Sequence, residues 1–406
     1  MKTASAGALG AVLSAQSYAR VLGANERISL GLIGCGGRGV GAHMKGIHPW
    51  DKQENVEFTA VADPWRPRRE EAAAVVQQWY GRPARQFSSY RQIMDLQDID
   101  AVMIASPDHL HTVHLKAAAL AKKDAYCEKP LGMDMKSLID CCDAVKASGI
   151  VVQIGTQIRS LPTSTGCREL FRQGAIGKVS RIEQCRNGTK PYWYSRVTRE
   201  VKEEDVDWAE FLGDRPMRPF NGELLTGWYG YREFTQGPIA NLGCHFIDLL
   251  HYITGATYPT SAVALGGTFT WIDEHHFTCP DHCQAMWIYP EGFMVSYATN
   301  FGNGGGKTLR ICGDQGVIDL TNWLKPTVSG DGALKKGKFT KEVPVEPVDT
   351  PDHFLNWLQC LRTRKECNAP LEAGYQHSVA VILAMAAFDT GRRQVYDHTK
   401  REIREG

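Results

Sequence analysis

Gly34-Cys35-Gly36-Gly37-Arg38-Gly39 has the spacing G-x-G-x-x-G. Glycines there let the backbone turn tightly and approach a pyrophosphate, whose charge the N-terminus of a following helix can hold. With 40 glycines in 406 residues such a spacing also arises by chance, so its surroundings decide its meaning. An apolar run at 28–33 leads into it, a stretch of helical character at 40–47 leaves it, and Asp63 stands 24 residues beyond Gly39 at the end of the next apolar run. A carboxylate in that place accepts hydrogen bonds from the adenosine ribose and repels a 2′-phosphate, which points to NAD rather than NADP. Arg66, Arg68 and Arg69 offer the opposite reading, a grip on a 2′-phosphate, against the simpler one of exposed arginines in a first helical turn. Two further apolar runs end in Ser106-Pro107-Asp108-His109-Leu110-His111 and in Cys127-Glu128-Lys129-Pro130. A lysine so placed can polarise a substrate hydroxyl or take its proton; the alternative is a surface Lys-Pro turn.

The elements that must place these residues alternate between strand and helix. Strands at 28–33, 56–62, 101–105, 124–127 and 150–154 are separated by helical stretches at 40–47, 74–80, 112–122 and 135–148. Such alternation predicts right-handed crossovers and a doubly wound parallel sheet. Asp63, Ser106, Glu128 and Lys129 then fall at carboxyl strand ends, the edge that faces the ligand crevice. Beyond Gly155 the pattern changes to a helix at 167–173, a strand at 178–186 and an aromatic, charged stretch at 192–234. A helix at 241–254 precedes short strands at 261–271, 283–289, 294–299, 307–312 and 316–320, which suggest an antiparallel sheet, and helices at 353–364 and 374–390 finish the chain. The fold class expected is α/β: a Rossmann domain over 25–155, then a C-terminal α/β domain with a largely antiparallel open sheet over 156–406. A chain of 406 residues exceeds what one core usually serves, which agrees with two domains.

Lys plus Arg number 46 against 45 Asp plus Glu, so the net charge of +1 leaves no footprint for nucleic acid or an anionic membrane. A small molecule is the expected partner. Cys279 and Cys283, with His275, His276 and His282, crowd possible zinc ligands into one short loop. Zinc sites usually separate two ligand pairs by a longer stretch, so these read as ordinary loop residues and no metal is expected. Residues 1–24 differ from the rest: 4–19 is small, weakly apolar and Ser-containing behind Lys2. It is too short for a membrane span and reads as part of an export signal, giving a periplasmic or exported protein; a frayed tail on a cytoplasmic protein is the alternative. No arginine pair precedes the apolar run, so it is not of the twin-arginine kind.

Together, the N-terminal motif, the 106–111 segment and Glu128-Lys129-Pro130 resemble the glucose-fructose oxidoreductase and inositol dehydrogenase family, Gfo/Idh/MocA, over nearly the whole chain after Asn25. The resemblance implies an NAD-dependent dehydrogenase that transfers hydride at a ring hydroxyl of a sugar, glycoside or cyclic polyol, assembled as a dimer or tetramer. It implies that Lys129 is the catalytic or substrate-orienting lysine, that Ser106, Pro107 and His111 lie on the nicotinamide side, and that Glu128 and Gln157 touch the cofactor. It also draws in the segment 237–248, where helical spacing puts Asn241, His245 and Asp248 on one face. His245 is then the general acid or base, although the residues alone equally allow a buried histidine anchored by Asp248. Many members carry Asp where this chain has Asn241, and an amide cannot act as a base. Proton transfer then rests on His245 and Lys129, with Asn241 positioning a substrate hydroxyl. Arg159, Tyr194 and Tyr229, with Tyr192, Trp193 and Arg232, supply donors and aromatic faces suited to a sugar ring. Some relatives keep NAD tightly bound and cleave glycosides by transient oxidation and elimination. A nucleotide-binding protein without turnover is the third reading.

Overall fold

The computed structural model describes residues 26–198 and 200–406; the signal-like segment 1–24 lies outside the described residues. Strands β1 (Ile28–Ile33), β2 (Val56–Ala62), β3 (Arg85–Phe87), β4 (Ala101–Ile104), β5 (Asp124–Cys127) and β6 (Val152–Ile154) form one parallel sheet in the order β3-β2-β1-β4-β5-β6. The order reverses between β1 and β4, which opens a crevice at the carboxyl ends of those strands. Leu30, Leu32, Phe58, Val61 and Met103 are buried on one side of the sheet, and Ile33, Ala60, Val102 and Ile104 on the other. Burial on both faces is why these strands read as nearly continuous apolar runs. The edge strand β3 is three residues long and largely exposed, so no such run announces it.

One part of this core comes from the far end of the chain. The helix His353–Thr363 sets Trp357, Leu358 and Leu361 among Leu30, Phe58 and Met103. Gln153 Nε2 donates to the His353 carbonyl at 2.5 Å. A helix placed by sequence in the second domain thus covers the first sheet.

The second sheet contains β7 (Val179–Cys185), β8 (Ser261–Gly267), β9 (His282–Tyr289), β10 (Phe293–Asn300), β11 (Thr308–Gly313), β12 (Gly316–Asp319), β13 (Thr327–Ser329), β14 (Val343–Pro344), β15 (Gln394–Asp397) and β16 (Glu402–Glu405). Their order is β14-β13-β12-β11-β7-β10-β9-β8-β15-β16, antiparallel at every pairing except β7 with β10. Ala285, Trp287 and Tyr289 of β9 and Phe293, Val295 and Tyr297 of β10 alternate inward. They pack under the helices Gly243–Thr254 and Leu371–Thr390, and Trp287 Nε1 donates to the Ala380 carbonyl at 2.8 Å. The helix Leu371–Thr390 also reaches the first sheet: a Cβ on Gly374 would stand 2.9 Å from Ile154 and Leu131 side-chain atoms. Both sheets thus share this helix, which fixes the two halves of the cleft between them.

Candidate active site

The glycine turn is shaped by contacts that only hydrogen can occupy. Gly34 has φ +90°, and a Cβ there would meet the Ala105 carbonyl and Ser106 nitrogen at 2.6 Å. A Cβ on Gly39 would stand 2.0 Å from the Gly34 oxygen. Gly36 and Gly37 differ, with nothing within 4 Å of an added Cβ, so their backbone faces open space. That is a cradle into which a pyrophosphate fits. A cleft of about 340 Å³ runs from it past Arg38, Asp63, Ser106, Pro107 and Tyr229.

Asp63 accepts from the backbone N–H of Cys35 at 2.7 Å and of Trp65 at 2.8 Å, one on each oxygen. Each oxygen keeps acceptor capacity for a ribose hydroxyl. Burial pushes its pKa up, opposed by those two N–H groups. Of the nearby arginines, Arg66 pairs with Asp205, Arg69 donates to the Asp63 carbonyl at 3.1 Å, and Arg68 lines the cleft with Glu71 3.1 Å away.

The far wall of the cleft comes from the aromatic, charged stretch of the second domain. Ser195, Arg196, Thr198, Phe211, Leu225 and Trp228 line it. The connection is tied to the Rossmann edge by a strand bridge between Trp65 and Val206, by Asp207 N to Pro64 O at 2.9 Å, and by the pairs Arg66–Asp205 and Arg91–Glu210. His114 is a further wall residue that sequence reading missed. Its Nδ1 is 3.0 Å from Ser106 Oγ and its ring lies 4.1 Å from that of Tyr90.

Several expected cofactor contacts bond to one another and brace the turn from below. Glu128 is buried beneath it, 3.5 Å from Arg38 Nε, 2.9 Å from His43 Nε2 and 3.1 Å from Gln157 Nε2. Burial alone would raise its pKa, but Arg38, His43 and Lys129 outweigh that and hold it well below the ordinary carboxylate range. Glu128 and Gln157 are not among the residues around this cleft, and neither are Lys129, Asn241 and His245, which stand at the domain seam. His111 does not line it either. Its Nδ1 is 2.7 Å from Pro130 O and its Nε2 is 2.8 Å from Ser106 O, so the ring ties the end of β4 to the turn after β5.

Lys129 is 8% exposed, and its Nζ donates to the Asn241 carbonyl at 3.0 Å across the seam between the domains. The helix expected around Asn241 is two helices, Pro238–Asn241 and Gly243–Thr254, broken at Leu242. Leu242 itself keeps right-handed helical dihedrals, and the side chains of Asn241 and Asp248 meet different partners. Asn241 Nδ2 donates to Asp108 Oδ2 at 2.5 Å, while its Oδ1 accepts from the Tyr192 hydroxyl and lies 3.2 Å from Thr235 Oγ1. Asp248 is held bidentately by Arg159, at 2.9 Å from Nε and 2.6 Å from Nη2. That pair is buried, so Arg159 and Asp248 spend their charge on each other instead of offering it to a sugar. Burial would raise the Asp248 pKa, but Arg159 and His377 bring it below the usual range.

His245 is only partly exposed, and its Nδ1 is buried with no hydrogen-bond partner among the described residues. Burial first and the Lys129 charge second push its pKa well below the ordinary histidine value, so the ring is neutral at neutral pH. A neutral imidazole is equipped to accept a proton. Tyr229 lines the cleft with its ring stacked 3.7 Å from Trp228, whereas the Tyr194 hydroxyl donates to Asp273 at 2.5 Å away from it. The suspected zinc ligands are dispersed: Cys279 packs with Trp193 and Phe301, Cys283 faces inward on β9, His282 bonds Asp281 at 2.6 Å and His275 bonds Glu223 at 2.8 Å. Among the described residues no helix is long and apolar enough to cross a membrane.

A doubly wound sheet with this cradle, an acid at the end of β2 and a lysine and a histidine at the domain seam define a dinucleotide-binding oxidoreductase. A family model described as an oxidoreductase family with an NAD-binding Rossmann fold matches residues 28–156, and one for the GFO/IDH/MocA C-terminal domain matches 208–319, together more than half of the chain. The chain belongs to the Gfo/Idh/MocA oxidoreductase family. It is 29% identical over 187 residues to a levoglucosan dehydrogenase of Pseudarthrobacter phenanthrenivorans, covering 46% of this chain and 40% of that protein. It is 37% identical over 124 residues to a glycosyl hydrolase family 109 protein of Shewanella amazonensis, covering 29% of this chain and 26% of that one. The matched part is thus less than half the length of either relative. In fold it is similar to an aldose-aldose oxidoreductase from Caulobacter crescentus solved with glycerol, with a TM-score of 0.67 at 19% identity over 90% of this chain and 99% of that one.

Proposed function

We propose that the protein transfers hydride at a ring hydroxyl of a carbohydrate, with NAD in the cleft above the glycine turn and with Lys129 and His245 handling the proton. The observation that carries this reading is the buried, unpartnered Nδ1 of His245 near Lys129 at the seam. Bound in the cleft, the nicotinamide supplies the hydride acceptor or donor. Among the described residues Lys129 Nζ has one hydrogen bond, to the Asn241 carbonyl, which leaves N–H donors for a substrate oxygen. His245, neutral, takes the hydroxyl proton on its ring as the C–H bond is lost. Tyr229 offers a flat face to the sugar at the cleft wall. Nucleotide released on denaturing the purified protein should be NAD, and a panel of sugars and glycosides should reduce it. Absence of bound nucleotide, of nucleotide affinity and of reduction across the panel would sink the reading.

The wall built from 195–228 supports a second reading, in which NAD is retained and the net reaction is glycoside hydrolysis through transient oxidation, elimination and re-reduction. A cleft walled by both domains slows nucleotide exit, and the matched glycosyl hydrolase bears a name of the same sense. Glycoside turnover without release of NADH selects this reading; NADH appearing in step with oxidised sugar selects the first.

The outer face of the second sheet supports self-association. Leu265 is 75% exposed there, and the register sets Val263 beside Met286 and Ile288 beside Met294, all partly exposed apolar side chains on adjacent strands. A continuous apolar strip of this kind is suited to a second copy, giving a dimer or tetramer. Sedimentation should show that Leu265→Glu with Ile288→Glu lowers the native mass to that of one chain; a native protein already monomeric rejects the proposal.

A further inference from the structure

The mechanism above leaves Asp108 unused, although it is buried to 3% exposure at the seam between the domains. Three other acids of the glycine turn and the domain seam are matched by cations or N–H groups: Glu128 by Arg38 and His43, Asp248 by Arg159, Asp63 by two backbone donors. Asp108 receives two neutral donors on one oxygen, Thr235 Oγ1 at 2.6 Å and Asn241 Nδ2 at 2.5 Å, and forms no ion pair among the described residues. A buried carboxylate in that state is costly to keep. Burial pushes its pKa up, while the charges of His111 and Lys129 pull it back toward the anion. The residue it grips is also the one that grips the lysine: the Asn241 carbonyl accepts from Lys129 Nζ at 3.0 Å. Asn241 thus joins the acid of one domain to the lysine of the same domain through the helix of the other.

We propose that Asp108 is the positioning residue for Lys129: it clamps the Asn241 side chain and so fixes the carbonyl that aims the ammonium, with its own negative charge facing that ammonium across Asn241. The inference rests on Lys129 being the acting group. It accounts for an amide at 241, since Nδ2 is the donor Asp108 requires. A carboxylate at that position would face another at about the same short distance, and two such groups cannot both ionise.

Asp108→Asn, Asn241→Asp and the double exchange test the proposal, with kcat and KM measured separately, nucleotide affinity followed by NADH fluorescence, and folding by thermal midpoint. Asp108→Asn should lower kcat by roughly tenfold or more with nucleotide affinity unchanged. Asn241→Asp alone should add an ionisation to the acid limb of the kcat profile, because the facing carboxylates then share a proton. The groups facing Asp108 are His111, Lys129, Tyr192, Tyr229, Cys244 and Cys279, and burial pushes both tyrosines and both cysteines up, away from that limb. The double exchange keeps the hydrogen bond with its ends reversed and should restore kcat to within about threefold of the native value. Unchanged kcat and pH profile in Asp108→Asn would overturn the proposal. So would a folded, nucleotide-binding double exchange no faster than the single variant, or single and double variants that all fail to fold, since Asp108 would then be structural only. Turnover retained by Lys129→Ala would instead remove the reading beneath it.

Discussion

Lys129→Ala is expected to lower kcat/KM by roughly a hundred- to ten-thousand-fold, and His245→Ala by a similar factor, with nucleotide affinity unchanged in both. The geometry that supports this is the contact of Lys129 with the Asn241 carbonyl across the domain seam, four residues before His245 on the neighbouring helix. Lys129 leaves the end of β5, and His245 enters on the first turn of Gly243–Thr254. Lys129 donates and His245 accepts, so each supplies what the other lacks. Effects of groups that act together do not add, and the double variant should be little slower than the worse single one. The pH profile gives an independent readout. A base must be unprotonated to act, and burial followed by the Lys129 charge holds the His245 pKa well below its ordinary value. The acid limb of kcat/KM should therefore lie below about pH 6.5, the unperturbed histidine value. Lys129→Met removes the cation and should move the limb of the residual activity upward. Retention of turnover within a few-fold by both alanine variants removes these residues from the mechanism.

How much of this was legible beforehand follows from how far apart the partners lie. The strands β1, β2, β4 and β5 are covered on both faces, so their apolar runs mark them, and the glycine turn shows because its constraint is the absence of side chains. The strands β13 to β16 span two to four residues each, too few for an alternating pattern to declare itself. Trp357 and Leu358 mark an apolar helix face but carry no information on which sheet receives it. The site fails in the same way. Helical spacing sets Asn241, His245 and Asp248 near one another but does not say what each meets: Asn241 bonds Asp108, 133 residues away, and Asp248 bonds Arg159, 89 residues away. Such partners are chosen by the packing of two domains, which periodicity does not encode. A departure noticed in sequence, the amide at 241, proved the useful clue because its partner is a carboxylate.

Acidification should destabilise the protein steeply between pH 6.5 and pH 5, well above the range in which its ion-paired carboxylates protonate. Burial first lowers the pKa of His109 to about 3, of His251 to about 3 and of His353 to about 4, and it lowers those of His43, His114 and His377 as well. The sign follows from proton binding. In the folded chain these rings stay neutral as pH falls, while in the unfolded chain each binds a proton below about 6.5, so acid favours unfolding. At pH 5 each of His109, His251 and His353 costs about 2 kcal/mol relative to pH 8, on the order of 6 kcal/mol together. That is comparable with the whole stability of many domains, about 5 to 15 kcal/mol. Asp63 and Asp108, whose pKa values are raised by burial, act in the opposite sense as they protonate and offset part of the loss. Calorimetry at successive pH values should show the thermal midpoint falling from pH 6.5 downward, and His109→Phe should flatten the slope. A midpoint constant between pH 7 and pH 5 would show that these rings are not held neutral. Because His245 belongs to the same buried set, loss of activity in acid has two sources that separate in time. Protonation of the base is reversed at once on returning to neutral pH, whereas unfolding is reversed only as fast as the chain refolds.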